Sequence, residues 1–400
     1  MRVVGIIAEY NPLHNGHIYH LEQAKALTGA DFCVVVMSGN FVQRGEPAAA
    51  DKFTRAEWAV RAGADLVLEL PSVYAVSSAE RFALGGVRTL YATGVMTDLS
   101  FGCETDDLLQ LQRLKDLLSS ETQAFQQALR QELRLGKSYP RARRDALAVC
   151  GADAVLLDAL ERPNNILAIE YLRALALFAP EICPIPVARA GNAYHDTALS
   201  GTLSSATSIR AALVSGNEAV REALPLFVGA RMLYDERYPV TEILFSKMIL
   251  STLRNMSPDA VSALPDVKEG LENVIMQVMK RAVTLEEFYT AIKSKRYTLA
   301  RCKRIAISAL LGLTRDQVYR TISDEKSEYL HVLAFSSKSR RLLSEIGKRC
   351  FAPLLLRQAD CAECTPLVRE NLAIDARSTD LYAIATETDL RRDHRGPIIV

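Results

Sequence analysis

The first hundred residues alternate short apolar runs with segments of helical periodicity. The runs Arg2–Ala8 and Phe32–Met37 are almost continuously apolar, and each ends at a polar loop. A continuous run, unlike an alternating one, predicts a strand that is covered on both faces, as in a parallel sheet. Between the two runs, Gly16–Leu27 places Ile18 and Leu21 on one face of a helix. The pattern predicts a strand, a helix and a second strand, which is how an α/β fold begins.

The alternation continues through the first half of the chain. Further strands are expected at Leu66–Leu70, Asp98–Phe101 and Pro184–Ala188, and further helices at Thr54–Ala62, Ala79–Tyr91 and Ile166–Leu177. The charged, Leu-rich segment Leu108–Gly136 predicts one or two helices that form an insertion or cap beside the sheet. Strands that alternate with helices at this spacing indicate a doubly wound, Rossmann-like parallel sheet of the α/β class.

The pattern changes after about residue 215, where strand signals nearly vanish. Helices are expected at Val240–Asn255, Val267–Arg281, Leu285–Lys295, Leu299–Leu313 and Ser339–Gly347. We therefore expect an α/β domain over residues 1–215 and a mostly α-helical domain over residues 216–400, with the last twenty residues as a loosely held tail. Two domains also suit a chain of 400 residues, since one hydrophobic core normally serves roughly 250–300.

Composition and charge exclude several classes of protein. A chain that is 49% hydrophobic and 24% charged is not largely disordered. The formal net charge of +1 provides no general attraction to nucleic acid or to anionic membranes, so any basic surface must be local. The N-terminus lacks a signal-peptide pattern, and no apolar run reaches about 18 residues. We expect a cytoplasmic protein without a membrane partner.

The eight cysteines indicate no metal site. Cys361 and Cys364 have the spacing of half a zinc site, but neither a second Cys-x-x-Cys nor a nearby pair of histidines completes it. Scattered thiols are typical of a reducing compartment. We expect free thiols here and no resident metal held by protein ligands.

The strongest chemical signal is the segment Asn11–His17, between the first predicted strand and the first predicted helix. Ligands of open α/β sheets bind at the carboxyl ends of the strands, where a helix N-terminus offers free N–H groups and partial positive charge to a phosphate. His14 and His17 stand within one turn of that N-terminus, and Gly16 lets the backbone approach a nucleotide closely. The segment predicts a phosphate site.

A second phosphate clamp is predicted at Ser204–Arg210, where hydroxyl groups begin another helix and Arg210 follows one turn later. Serine and threonine are also ordinary helix N-caps, so only the pairing with the histidine segment favours a site. Together, His14, His17 and Arg210 are the expected catalytic residues, because donors and cations stabilise the charge that builds as pyrophosphate leaves ATP.

These segments resemble known motifs. His14–His17 and Ser205–Arg210 are similar to the HxGH and ISSTxxR motifs of the nucleotidylyltransferase superfamily. Over most of its length the chain also resembles the bacterial tRNA(Met) cytidine acetate ligase family. The motifs that carry this likeness are Gly5–Pro12, Met37–Ala48, Phe101–Glu104, Pro163–Leu167 and Lys295–Thr298. The chain departs from the family pattern at Cys103 and Ala168, two small residues to which we assign no chemistry.

The resemblance implies an activity and an ATP site. Such enzymes activate acetate as acetyl-adenylate and pass the acetyl group to the wobble cytidine of elongator tRNA(Met). The implied ATP-binding residues are Ile7, Ala8, Glu9, Tyr10, Asn11, Pro12, Leu13, His14, Asn15, Gly16, His17, Ile18, Tyr19, His20, Gly102, Asn165, Arg189, Ala190 and Ser208. ATP is then a substrate, and Mg²⁺ is expected to bridge its phosphates without a dedicated set of protein ligands.

A basic segment of the helical half is the expected tRNA contact. Its residues are Lys293, Lys295, Arg296, Arg301, Lys303 and Arg304, with Tyr297 interleaved as an aromatic that could stack on a base. The polar loop Ser38–Glu46 is expected to shape a small pocket or to meet the RNA. Lys52 and Arg55 are further candidate anion contacts, although an exposed helix face would explain them equally well.

Two other functions stay open at this point. One is a nucleotidylyltransferase that acts on a small phosphorylated metabolite, although such a substrate would leave the long helical half without a purpose. The other is a non-catalytic, nucleotide-responsive RNA-binding protein, against which the intact His14, His17, Asn165 and Arg210 argue. The residues indicate neither a preference for acetate over other small acids nor an oligomeric state.

Overall fold

The centre of the protein is one mixed sheet to which both halves of the chain contribute. The computed structural model describes residues 1–105, 107–119, 122–137, 139–189, 199 and 201–400. The strands in these residues are β1 (Val3–Ala8), β2 (Phe32–Ser38), β3 (Leu66–Leu70), β4 (Asp98–Cys103), β5 (Cys183–Ala188), β6 (Leu330–Phe335), β7 (Leu354–Leu355) and β8 (Ile398–Ile399). Their order is β5-β4-β1-β2-β3-β6-β7, and β8 pairs with β6.

Helices cover both faces of the sheet. Those of the first half are α1 (Asn15–Thr28), α2 (Lys52–Arg61), α3 (Ser72–Ala75), α4 (Ala79–Ala92), α5 (Leu108–Ser119), α6 (Gln123–Arg134), α7 (Tyr139–Val149), α8 (Ala154–Ala159), α9 (Pro163–Phe178) and α10 (Ala206–Ser215). Those of the second half are α11 (Leu226–Tyr234), α12 (Ser246–Asn255), α13 (Pro258–Ser262), α14 (Leu271–Val278), α15 (Leu285–Ile292), α16 (Leu299–Leu311), α17 (Arg315–Ser323), α18 (Arg340–Arg349) and α19 (Pro366–Thr386). In the described residues, no helix combines the length and the apolar character that crossing a membrane requires.

The predicted α/β class is confirmed, and the reason is visible in β2. Val34 and Val36 face one core cluster, whereas Cys33, Val35 and Met37 face the other. The strand is therefore buried on both faces, as its continuous apolar run predicted. Strands β5, β4, β1, β2 and β3 are parallel, and β1 lies between β2 and β4. Chain connections leave β1 in both directions, so the crevice at its carboxyl end is the favoured ligand position.

Two expectations about the second half were wrong. Strand β6 was not predicted, yet it pairs antiparallel with β3. Its apolar run is interrupted by His331, which weakens the sequence signal for a buried strand. The end of the chain is not a loose tail, since Ile398 pairs with Ala334 of β6 and Asp393 is buried. The second half is otherwise mostly helical, as expected, and the division at residue 215 stays a prediction.

A buried ion cluster joins the two halves beneath the loop that follows β2. Lys52, at the start of α2, is fully buried. Its Nζ lies 2.8 Å from both carboxylate oxygens of Glu69 in β3 and 2.5 Å from Oδ1 of Asp393. His331 Nδ1 lies 2.7 Å from Glu69 Oε2. Lys52 therefore compensates Glu69, 17 residues away in sequence, and Asp393, 341 residues away. It is neither of the two things that the sequence suggested, an anion contact or part of an exposed helix face.

Lys52 and Glu69 keep their charges at neutral pH. Burial alone would lower the pKa of Lys52, but Asp393 and Glu69 outweigh it, so the pKa lies above its ordinary value. Burial likewise opposes ionisation of Glu69, yet Lys52 and His331 bring its pKa down to about 2. Asp375, close to the cluster, has its pKa raised to about 7 by burial and by the Glu69 charge. The ion pairs are thus retained where water cannot compensate them.

Lys52→Met should therefore destabilise the protein strongly. The substitution leaves the carboxylates of Glu69 and Asp393 buried without their cation, which typically costs about 3–5 kcal/mol. The free energy of unfolding from denaturant titration measures the effect. Lys348→Met is the matched control, because Lys348 pairs with Glu345 on the surface and is 66% exposed, so it should cost less than about 1 kcal/mol. Equal losses in the two variants would contradict a structural role for the cluster.

Candidate active site

A cavity of about 240 Å³ opens at the carboxyl ends of the parallel strands. Its walls come from the end of β1, the start of α1, the loop after β2, the ends of β4 and β5, and the start of α10. The predicted residues that line it are Ile7, Ala8, Glu9, Tyr10, Asn11, His14, Gly16, His17, Tyr19, His20, Gly102, Arg189 and Arg210. The sheet therefore brings the two predicted phosphate clamps together around one space.

The N-terminus of α1 is built by its own histidines. His14 is the N-cap, and its Nδ1 accepts a hydrogen bond from the Gly16 N–H at 3.1 Å. His17 Nδ1 in turn accepts from the His14 N–H at 3.3 Å, which completes a reciprocal capping box. The two rings stack with centroids 3.7 Å apart. A Cβ on Gly16 would lie 3.0 Å from the His14 ring, so glycine lets this stack form.

These hydrogen bonds also fix the tautomer of both histidines. Because each Nδ1 accepts a backbone N–H, the proton of each neutral ring must be on Nε2. Burial, and then the positive charges of Arg189 and Arg210, lower the pKa of His14 to about 3. Burial and His14 place the pKa of His17 well below its ordinary value. The free protein therefore presents both histidines as neutral donors rather than as cations.

Two neighbouring residues complete this wall. Tyr10 adopts a left-handed backbone conformation with φ 48, and its ring meets that of His17 edge-on at 4.9 Å. Such conformations are costly outside glycine and tend to occur where function requires them. His20 Nε2 lies 3.0 Å from the Ser100 hydroxyl, and burial lowers its pKa to about 4. The first turn and a half of α1 thus presents only neutral groups to the cavity.

The start of α10 forms the facing wall. Ser205 is its N-cap, and the Ser205 hydroxyl accepts a hydrogen bond from the Ser208 N–H at 3.1 Å. The Ser208 hydroxyl donates to the Ser205 carbonyl at 2.9 Å. Ser208 is therefore occupied in the cap, behind the cavity surface. Arg210 reaches across to donate from Nη1 to the Asn11 carbonyl at 2.8 Å. This contact places a permanently charged guanidinium beside the histidine segment.

The loop after β2 closes a third side, with Gln43, Arg44 and Glu46 on the cavity wall. The Gln43 N–H donates to Glu9 Oε1 at 2.9 Å. Burial raises the pKa of Glu9, although the Gln43 hydrogen bond opposes the shift. The loop was expected to shape a polar pocket or to meet RNA, and the described structure places it against the cavity.

Arg55 is not the anion contact that the sequence suggested. It is fully buried, and its guanidinium donates to the carbonyls of Ala50 at 2.8 Å, Glu9 at 2.6 Å and Ser38 at 3.1 Å. The side chain also donates to the Gly39 carbonyl. Arg55 therefore ties together the chain segments that leave β1 and β2, and it supports the cavity from behind.

The wall at β4 and α9 differs from the prediction by one residue. Asn165 is fully buried, and its Oδ1 accepts the N–H groups of Glu104 at 2.9 Å and Thr105 at 3.3 Å. Its neighbour Asn164 lines the cavity instead. Asn165 thus shapes the turn after β4, and its predicted contact with ATP stays a prediction, while Asn164 is a cavity-lining residue that the sequence analysis did not name.

Some of the predicted ATP-binding residues, including Asn165 and Ser208, do not line the cavity. Those in the described chain are Pro12, Leu13, Asn15, Ile18, Asn165 and Ser208. Ala190 lies outside the described residues. The apolar lining, which was not predicted, includes Phe82, Phe101, Leu167, Tyr171 and Val187. Their sequence pattern marks them as ordinary core positions, so no signal distinguished them.

The predicted tRNA-binding segment divides into two groups. Lys293, Lys295 and Arg296 are exposed. Arg301 and Arg304 bind Asp266, through its carbonyl at 2.7 Å and its carboxylate at 3.0 Å, respectively, while Lys303 pairs with Glu46 at 2.7 Å and with Glu242 at 3.2 Å. The segment therefore presents its first three cations to solvent, where Arg296 pairs with the exposed Glu269 at 3.2 Å, whereas the last three bind within the protein.

Tyr297 is not an exposed stacking platform, contrary to the sequence interpretation. It is 8% exposed, and its hydroxyl donates to the Lys268 carbonyl at 2.6 Å. The Arg301 guanidinium covers its ring at 4.2 Å from the centroid. The aromatic is a packing residue because helix α16 begins directly after it and buries it.

The arrangement is suited to a polyphosphate. The α1 N-terminus supplies the partial positive charge of the helix dipole, while the N–H groups of His14 and Gly16 stay in the capping box. The histidines add Nε2–H donors, and Arg210 adds a full positive charge that does not depend on pH. A nucleoside triphosphate matches this combination, with the apolar wall left to receive a base or ribose.

The described cavity residues do not form a magnesium site of their own. Among all described residues, one group of three metal-ligating side chains is close enough to share an ion, namely Glu69, His331 and Asp393. The Lys52 ammonium already lies against its carboxylates, and none of the three lines the cavity. The cavity contributes the separate carboxylates of Glu9 and Glu46, which are already hydrogen-bonded.

The neutral state of His14 should make stability depend on pH. An unfolded histidine titrates near 6.5, so between that value and about 3 the unfolded chain binds more protons and stability falls as the pH falls. His14→Asn keeps an N-cap acceptor but no titrating ring. When the pH is lowered from about 7 to about 5, the free energy of unfolding should fall in both proteins. The fall should be roughly 1–2 kcal/mol smaller in the variant than in the unsubstituted protein.

The comparison uses denaturant unfolding at both pH values. His394→Asn is the matched control, because it makes the same substitution at an exposed histidine outside the cavity. If His14→Asn loses as much stability as the parent protein over this range, His14 is not held neutral by the fold.

Comparisons with known proteins show the family to which the chain belongs. A sequence model described as HIGH Nucleotidyl Transferase matches residues 1–395. The tRNA(Met) cytidine acetate ligase of Acetivibrio thermocellus is 38% identical over 395 residues, which cover 96% of this chain and 95% of the relative. The enzyme of that name from Caldanaerobacter subterraneus is 38% identical over 391 residues, with 96% of both chains covered.

Two solved structures are similar over the whole of both chains. The apo crystal structure of Thermotoga maritima TmcAL has a TM-score of 0.93 at 34% sequence identity, and the structure of that protein bound with alpha-thio ATP has a TM-score of 0.91 at 33% identity. Both cover 100% of this chain and 100% of the solved chain. The chain belongs to the HIGH nucleotidyl transferase family and, within it, to the tRNA(Met) cytidine acetate ligases.

Proposed function

We propose that this protein is an ATP-dependent ligase that acetylates the wobble cytidine of elongator tRNA(Met) to N4-acetylcytidine. The observation that carries the proposal is the pairing of the His14–His17 helix start with Arg210 across one cavity, in a chain of which 96% matches a ligase of this name. The enzyme first forms acetyl-adenylate from acetate and ATP, and then transfers the acetyl group to RNA.

The first step brings two anions together. An acetate oxygen attacks the α-phosphorus of ATP, the bond to pyrophosphate breaks, and acetyl-adenylate forms. Alignment and compensation of charge supply most of the catalysis in such a transfer. The Nε2–H groups of His14 and His17 donate to phosphate oxygens, and Arg210 compensates the charge that grows on the leaving pyrophosphate.

The second step moves the acetyl group. The exocyclic amine of the cytidine attacks the acetyl carbonyl carbon, the bond to AMP breaks, and the amine proton passes to the AMP phosphate or to water. No protein base is required, because acetyl-adenylate is a mixed carboxylic–phosphoric anhydride with AMP as a good leaving group. Retention of the tRNA near the cavity is then the main requirement.

Mg²⁺ entering with ATP would compensate phosphate charge, and it would need no dedicated set of ligands from the described cavity residues. The exposed Lys293, Lys295 and Arg296 contact tRNA phosphates. The reaction takes place in the cytoplasm, where the tRNA is available. A nucleotidylyltransferase for a small phosphorylated metabolite is disfavoured, because the likeness to the ligases extends through the helical half. The same likeness, with the intact phosphate site, disfavours a non-catalytic RNA-binding protein.

Transfer of labelled acetate to bulk tRNA tests the proposal. The protein should incorporate label from free acetate only when ATP is present, and only into elongator tRNA(Met). Acetyl-coenzyme A should not replace acetate together with ATP. ATP–pyrophosphate exchange triggered by another small acid or phosphate, with no label in tRNA, would reject the ligase and favour the metabolite-specific alternative.

His17→Ala should lower acetate-dependent ATP–pyrophosphate exchange by about 10²-fold or more, because it removes a donor that acts as pyrophosphate leaves. His394→Ala is the control for loss of an imidazole at an exposed position. A His17→Ala rate equal to that of the parent protein, at equal ATP affinity, would remove this histidine from the mechanism.

Combined charge reversal, Lys295→Glu with Arg296→Glu, should weaken tRNA binding and spare acetate-dependent pyrophosphate exchange. If both side chains contact phosphates, the slope of log affinity against log salt should also fall by about 2. Filter binding at several salt concentrations measures both quantities.

The matched control is the exposed pair Lys348 and Arg349 of α18. This pair lies at the amino ends of the strands, because the Arg349 carbonyl packs against Gly94 shortly before β4 begins. Its reversal to glutamate should change tRNA affinity little. Equal effects of the two reversals would indicate general electrostatics rather than a tRNA contact at Lys295 and Arg296.

A further inference from the structure

Glu46 stands between a catalytic cation and a cation of the helical half. Its Oε1 accepts from Lys303 Nζ at 2.7 Å, and its Oε2 lies 4.0 Å from Arg210 Nη2. Lys303 belongs to α16 and also pairs with Glu242 at 3.2 Å. Glu46 lines the cavity, so one carboxylate connects the phosphate site with the segment that was expected to bind tRNA.

The backbone holds this arrangement close. Gly45 has φ +73, and a Cβ at this position would lie 2.3 Å from the Arg304 nitrogen, so only glycine permits the loop to pack directly on α16. The side chains of Lys303, Arg210 and Glu46 are 16%, 25% and 27% exposed. Partial burial of this kind makes ion pairs stronger than at an open surface.

A carboxylate at this position competes with ATP. Arg210 can bind either the phosphates or Glu46, and both ligands are anionic. Burial would raise the pKa of Glu46, but Lys303, Arg210 and Arg44 outweigh it, so the pKa lies below its ordinary value and the group is ionised at neutral pH. The closer partner is Lys303, which reduces the attraction that Glu46 exerts on Arg210.

We propose that Lys303 is a positioning residue of the nucleotide site, which holds the Glu46 carboxylate and thereby leaves Arg210 available to ATP phosphates. The proposal builds on the proposed function, since it assigns Arg210 to ATP. It replaces the sequence-based expectation that Lys303 contacts tRNA. The exposed Lys293, Lys295 and Arg296 keep that role.

The test is a double-mutant cycle in the full-length protein. Equilibrium dialysis with labelled ATP, without acetate or tRNA, gives the Kd of the unsubstituted protein, Lys303→Met, Glu46→Gln and the double variant. Lys303→Met should weaken ATP binding about tenfold, because Glu46 then draws Arg210 away from the phosphates. Glu46→Gln should tighten it a few-fold, and the double variant should bind as Glu46→Gln does.

Two further variants separate charge from packing. Lys303→Arg retains the cation and should bind ATP within about threefold of the unsubstituted protein. Lys348→Met removes a surface lysine that also pairs with a glutamate, and it should leave the Kd unchanged. Circular dichroism and thermal unfolding establish that each variant is folded before its Kd is compared.

Two results would overturn the proposal. If Lys303→Met binds ATP normally and loses only tRNA affinity, Lys303 is an RNA contact. If Lys303→Met weakens ATP binding and Glu46→Gln fails to restore it, the lysine merely docks α16. Because the assay contains neither acetate nor tRNA, failure of acetate activation would reject the proposed function without affecting this cycle.

Discussion

The ammonium of Lys52 lies in the protein interior, and much of the architecture follows from the need to compensate its charge. An isolated buried ammonium is very costly, so Glu69 in β3 and Asp393 near the C-terminus must both be in place. The pairing with Asp393 holds the end of the chain against the sheet. His331 of β6 contacts the Glu69 carboxylate. The C-terminal segment around Asp393 is therefore packed against the core instead of extending into solvent.

The nucleotide cavity rests on this cluster. The Lys52 N–H donates to Asn40 Oδ1 at 2.7 Å, and a Cβ on Gly39 would lie 2.6 Å from Glu69 Oε1. The loop after β2 is therefore packed on the ion cluster. Arg55 connects it to the end of β1, because its guanidinium donates to the carbonyls of Glu9 and Ser38. A cavity wall that is supported in this way keeps its donors aligned without reorganisation when the charged ligand enters.

The sequence predicts those features that local pattern controls. Continuous apolar runs indicated that β1 and β2 are buried, the alternation of strands with helices correctly predicted the parallel strands, and the segment with His14 and His17 lines the cavity. What it missed depends on contacts between distant residues. Lys52 is buried because it pairs with Asp393, a contact between residues that are far apart in sequence. The side chains of Asn165 and Ser208 could bind a ligand by type, but here they form hydrogen bonds with nearby backbone groups. No local pattern distinguishes a polar residue that faces a ligand from one that supports the wall behind it.

The positive charge of the cavity comes from its arginines, because burial keeps His14 and His17 neutral. A polyphosphate then depends heavily on Arg210, and any carboxylate within reach of that guanidinium weakens binding. Glu46 is such a carboxylate, and the cation closest to it comes from α16 in the helical half. The same half closes the sheet through β6 and compensates Lys52 through Asp393. The nucleotide site therefore depends on both halves of the chain, although the residues that touch its cavity come from the first half.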